Sequence, residues 1–161
     1  MGLRKKKPKL QDEAISELAQ MFIALPDDPT PGSELLDATK LDFSVNSLKT
    51  VDQHLAKIRK RKLAGNNLIK FVLRCGAYVG EVVRRHAQGK TWHWLDYEGA
   101  SELSDDIVNF GKCLSTVAVL WDSKDGFCFP LGKVIKYLEN GSEDSVRAFA
   151  TVMIDKTLEG C

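Results

Sequence analysis

The stretch GAYVGEVVRRH, residues 76–86, decides how this chain is read. It belongs to a longer run, residues 68–89, whose apolar positions are Leu68, Ile69, Phe71, Val72, Leu73, Cys75, Ala77, Tyr78, Val79, Val82 and Val83. That is too many for one stripe, and a helix apolar around most of its circumference is a central one. Gly76 and Gly80 stand one turn apart on the same face, and each costs the helix about 1 kcal/mol relative to alanine. The compensation is close approach. The pair opens a flat groove that receives a second helix, a strand or a large ring such as the indole of Trp92 or Trp94; alternatively it forms the floor of a ligand pocket. Arg84, Arg85 and His86 give the helix a basic last turn that suits its negative end, and Gly89 is the expected left-handed cap.

Upstream, DEAISELAQMFIAL places Ile15, Leu18, Ala19, Phe22 and Leu25 at helical spacing behind acids in the first turn, and Pro26 stops the pattern. The Pro, Asp and Gly-rich residues 26–42 predict a long connection, either wrapped on the surface or acting as a hinge. A second helix is expected from Ser44 as N-cap, with Val45, Leu48, Val51, Leu55 and Ile58 as its stripe, and Gly65-Asn66-Asn67 as the break before the central helix.

Downstream the period changes from 3.6 to 2. TWHWLDY alternates Trp92 and Trp94 against His93, Leu95 and Tyr97, and residues 114–121 and 127–129 read as a hairpin around SKDG. A short helix over 131–140 ends at Asn140-Gly141, and a last one starts from Ser142 as N-cap, with Val146, Phe149, Ala150, Met153 and Ile154 inward. Helices, then a small antiparallel sheet, then C-terminal helices make an α+β fold. Residues 1–10 form a basic tail expected to be disordered, and residues 11–161 a single α+β domain.

Composition narrows the function. The 23 Lys and Arg nearly balance 22 Asp and Glu for a formal net charge of +1, so any phosphate or membrane affinity must come from local patches. No apolar run follows the basic start, Lys6 occupies the position where a myristoylation signal wants Ser or Thr, and Cys161 is misplaced for prenylation. These features imply a cytoplasmic protein without membrane attachment. Cys75, Cys113, Cys128 and Cys161 lack the close pairing of zinc or redox sites, and the histidines His54, His86 and His93 stand on separate elements. No metal and no cofactor is expected, and no nucleophile elbow, phosphate loop or dinucleotide fingerprint is present.

Three function classes remain. An enzyme would use Glu81, Arg84, Arg85 and His93 around a pocket. A nucleic-acid binder would use RKKKPK at 4–9 and KIRKRK at 57–62, although cations in the last turn of a helix also answer its dipole. A protein-binding surface would use Trp92 and Trp94 as anchors beside the acids Glu98, Glu102, Asp105 and Asp106, since charge is segregated along the chain.

Two stretches, GAYVGEVVRRHAQGKTWHW and FPLGKVIKYLENGSEDSVRAFA, resemble a group of small uncharacterised bacterial domains of an immunity-protein-like kind. The resemblance implies a non-enzymatic protein-binding domain, an immunity or accessory protein that occludes a bacterial toxin, and it assigns no catalytic residues. The expectation is therefore a cytoplasmic domain with a protein partner, ahead of the enzyme and nucleic-acid alternatives.

Overall fold

A computed structural model describes residues 7–159, with side chains as far as Asp155. Residues 1–6 of the basic tail and Cys161 lie outside the described residues; residues 7–11 lead into the first helix without regular structure, and the Gln11 N–H donates to the Trp94 carbonyl at 2.8 Å. The α+β class, helices then a small antiparallel sheet then C-terminal helices, is as expected, with two further short helices after the first strand: α1 (Asp12–Ile23), α2 (Leu48–Arg61), α3 (Gly65–His86), β1 (His93–Asp96), α4 (Tyr97–Leu103), α5 (Asp105–Phe110), β2 (Ala118–Trp121), β3 (Phe127–Cys128), α6 (Pro130–Asn140) and α7 (Val146–Glu159). Among the described residues no helix is long and apolar enough to cross a membrane.

α3 is the central helix. From Phe71 to Val83 only Leu73 escapes full burial, with α1 and α6 as its principal neighbours and α7 alongside. The glycine face is filled as close packing requires. A methyl group on Gly76 would come within 2.9 Å of the Leu131 Cα in α6, and one on Gly80 would enter the Trp94 indole and reach 3.0 Å from the Pro130 ring. α6 and the indole both occupy the groove, and the pocket-floor alternative is excluded there.

The three strands form an antiparallel sheet in the order β1-β2-β3. Its register pairs Trp94 with Leu120 and Leu120 with Cys128 on the face toward α3 and α6, and Leu95 with Val119 on the opposite face. Side chains alternate across a strand, so the second face needs its own cover. α4 and α5 supply it, burying Ala100 and Ile107 against Leu95 and Val119. These two short helices are absent from the sequence reading. Their signal is the N-cap Asp96, whose carboxylate accepts from Gly99 N–H at 2.8 Å.

Several boundaries differ from expectation, each for a local reason. The Ser44 hydroxyl accepts from Ser47 N–H at 3.0 Å and so caps a turn, leaving α2 to begin at Leu48. Gly65-Asn66-Asn67 form the first turn of α3; the break falls at Lys62, which is left-handed at φ 50°. α3 ends at His86 with Ala87 extended, so Gly89, although at φ 80°, is not its cap. The hairpin strand starts at Ala118, because the Thr116 side chain holds residues 111–116 in a turn by donating to the Gly111 carbonyl at 2.7 Å and accepting from Cys113 N–H at 3.0 Å. Ser142 opens a short 3-10 turn instead of α7. α7 is capped across the fold: Asp52 of α2 accepts from Val146 N–H at 2.8 Å and from the Ser145 hydroxyl at 2.6 Å.

The long connection is wrapped on the surface. Arg74, buried in α3, donates to the Asp28 carbonyl at 2.8 Å, the Thr30 hydroxyl at 3.1 Å and the Asp28 carboxylate at 2.7 Å. At the other end Phe43 stacks on Tyr78 with centroids 4.7 Å apart, and its N–H donates to the Tyr78 hydroxyl at 3.0 Å.

The glycine packing predicts the response to one added carbon. Gly76→Ala and Gly80→Ala each destabilise the chain by about 1–3 kcal/mol through overpacking, even with the roughly 1 kcal/mol of helix propensity that alanine returns. The two losses are less than additive, since both displace the start of α6. Urea unfolding of the two single variants and the double variant measures this; an alanine at either site that stabilises the protein contradicts the packing.

Candidate functional site

The residues named for catalysis are brought together, but as a brace. Glu81 is 0% exposed. Its carboxylate accepts from Arg84 Nε at 2.7 Å and from the Trp94 indole N–H at 3.1 Å, and Arg85 stands 3.6 Å away. Asp12, in the first turn of α1, takes the Trp94 backbone N–H at 2.6 Å on one oxygen and bonds His93 Nδ1 at 2.7 Å with the other, with Arg84 at 3.8 Å. Five side chains and one indole thus tie α1, α3 and β1 at a single point. Burial alone pushes the Glu81 carboxyl up, but the Arg84 guanidinium and the indole N–H outweigh it and hold the group below its ordinary value. An ionised carboxylate with its acceptor sites filled by protein donors is poorly placed as an acid or base.

The expected partner anchors divide. Trp94 is fully buried under Gly80 and Trp92 is 5% exposed, so neither indole is available to a partner. This corrects the reading of both as surface anchors; the physical reason is the glycine groove, which takes Trp94 as a core residue. Glu98, Glu102, Asp105 and Asp106 are exposed on α4 and α5 as the partner reading needs, with Glu98 paired to Lys112 at 2.7 Å. In the basic run, Arg59 donates to the Glu139 carbonyl at the end of α6 at 3.2 Å and Arg61 pairs with Glu34. Cys75 and Cys128 are interior, and burial pushes both thiols up.

The principal concave feature lies on another side. A cleft of about 580 Å³ opens between α5, the turn before β2, β3, α6 and α7. Phe110, Phe127, Phe129, Ile135, Phe149 and Met153 make most of its wall, and Lys133, Lys136 and Glu139 border it along α6. Phe110 is 65% exposed and packs edge-on to Phe129 at 5.8 Å; Val108, on the same short helix, is 51% exposed. Some of its polar groups are already engaged: Lys133 binds Asp144 at 2.7 Å, and the Cys113 thiol lies 3.7 Å from the Thr116 hydroxyl, which holds it below the usual thiol range. The cleft contains none of Glu81, Arg84, Arg85 and His93.

Sequence reasoning missed this cleft because its residues come from five separate elements. No protein-family model, no curated protein and no solved structure matches the chain.

The brace predicts stability effects. Glu81→Ala leaves two guanidinium groups and an indole N–H without their acceptor and costs about 3 kcal/mol, whereas Glu81→Gln keeps an acceptor for the indole and costs less. Because the folded carboxyl lies below its ordinary value of 4.5, its contribution is complete above that pH and is lost as pH falls through the folded value. Thermal unfolding from pH 7 to pH 3 therefore shows a smaller acid loss in Glu81→Gln than in the unaltered chain; parallel curves contradict this assignment.

Proposed function

We propose that this chain is a non-enzymatic protein-binding domain whose interaction surface is the aromatic cleft between α5, α6 and α7. The observation that carries the reading is Phe110, 65% exposed at the lip of an apolar cleft that it shares with Phe129. Protein-binding surfaces concentrate their energy in a few aromatic side chains beside a pocket, with a polar border that excludes water. Lys133, Lys136 and Glu139 along α6 provide that border. The buried ion pairs of α3 support the non-enzymatic part, because the groups best suited to acid and base work are committed to holding α1 and β1. Occlusion of a bacterial toxin, in the cytoplasm, is the finer form of this proposal, and its support is the presence of a preformed surface.

Placing a photo-crosslinking phenylalanine analogue at position 110, and at Glu13 as a control, tests it in lysate from the source cells. A discrete crosslinked protein at position 110 only is the expected result. With that partner purified, Phe110→Asp weakens binding by about 30-fold, the loss of one aromatic hot spot, while the circular dichroism spectrum is unchanged. Equal labelling at both positions, or undiminished affinity of the Phe110→Asp chain, removes the cleft from the interaction.

A further inference from the structure

We propose that residues 31–40 form an acid-released flap over His54, hinged at Thr30 and Leu41. The inference is independent of the aromatic cleft.

Both ends of this segment are fixed. Thr30 is buried on Arg74, and Leu41 and Phe43 are buried where Phe43 stacks on Tyr78. Between them the chain makes two 3-10 turns, Ser33–Leu35 and Ala38–Lys40, neither with a buried residue. Among the described residues one ion pair, Glu34 with Arg61, ties this part to α2. Leu35 and Leu36 are half-buried, and a cleft of about 150 Å³ separates them and Lys40 from Gln53, His54 and Lys57 of α2. A segment held at its ends, whose apolar contacts in between are Gly32 on Ile58 and the half-buried Leu35 and Leu36, opens locally at a lower free energy than the whole fold.

His54 lies beneath it. The side chain is 2% exposed, and neither ring nitrogen has a hydrogen-bond partner. α1 and α3 face it with phenyl rings, Phe22 at 6.1 Å and Phe71 at 5.8 Å between centroids. Its own helix contributes the cations Lys57 and Arg61, and the flap contributes Glu34, already bound to Arg61, with Asp37 and Lys40 at the edge of the cleft. The Leu35 backbone is near enough to favour a proton but is not placed to make a hydrogen bond. Burial is the main reason the imidazole is held down to about 4 from its ordinary 6.5. A proton on His54 in the closed state would sit between two phenyl rings with two cations nearby and no free acid, which is costly in an apolar site. Lifting the flap admits water to the ring and parts Gly32 from Ile58 and Leu35 and Leu36 from the edge of the core.

The sign follows from linkage. The open state accepts the proton at the ordinary value and the closed state only near pH 4, so above pH 6.5 the flap is unaffected by pH. Below it the open population rises about tenfold per pH unit, to a ceiling of about 300-fold near pH 4.

Residue-resolved hydrogen exchange of the full chain between pH 7.5 and 4.5, corrected for intrinsic exchange rates, tests the flap. Leu35, Leu36 and Lys40 carry the reporting amides, bonded within the flap to Gly32, Ser33 and Asp37 at 2.9, 3.0 and 3.2 Å. Their opening should increase tenfold per unit below pH 6.5 while Val79 and Val82 in α3 keep their protection. In His54→Phe and His54→Gln, which do not titrate, the pH dependence should vanish; two replacements of different polarity guard against one failing to fold. The same pH dependence in both variants, opening of α3 in step with the flap, or a His54 resonance titrating near 6.5 in the closed state each overturns the proposal.

Discussion

The structure depends on the approach of α6 and the Trp94 indole to the bare backbone of α3 at Gly76 and Gly80. Two glycines in a buried helix sacrifice local stability, and the return is dispersion contact between main chain and a large ring at distances no side chain permits. Once Trp94 is seated there, β1 is fixed in position, and its indole N–H meets Glu81 one residue along the helix. The sheet register follows from that strand, with Leu120 and Cys128 in line with the indole. One steric allowance therefore sets the central helix, the sheet and the ion pairs that join them to α1.

Much of this was legible in the sequence. The excess of apolar positions in 68–89 marked α3 as central, and the change from period 3.6 to period 2 marked the sheet. What periodicity does not carry is contact at long range. The cap on α7 comes from Asp52, far back in α2, so a plausible local cap at Ser142 misled the boundary. Trp92 and Trp94 were read as surface anchors because a tryptophan in an alternating strand has two faces to choose from, and only the partner across the sheet decides. α4 and α5 were hidden for a related reason: a helix with one inward residue, Ile107, has no stripe to detect. The aromatic cleft, assembled from five elements, had no signature in any one of them.

Polar groups inside the protein are matched with few exceptions. Arg74 has Asp28 and Thr30, Glu81 has Arg84 and Trp94, and Asp12 has His93 and the β1 backbone. Such pairing removes these groups from chemistry while fixing element to element. Against this background the two unmatched buried side chains among the described residues, His54 and Trp92 at its Nε1, stand out. A neutral indole is tolerated at modest cost, whereas an imidazole in the same condition responds to protons.

The cap from Asp52 to α7 also bears on how the chain assembles during synthesis. Its two ends are 94 residues apart in sequence, so α7 gains its N-terminal stop only by docking beside α2. α7 carries Phe149 and Met153, one wall of the aromatic cleft, and follows the rest of that wall in the chain. Until it docks, Phe127, Phe129 and Ile135 lack that cover, and transiently exposed apolar surface of this kind is prone to misassociation. For that interval the apolar wall is a liability that rapid docking of α7 removes.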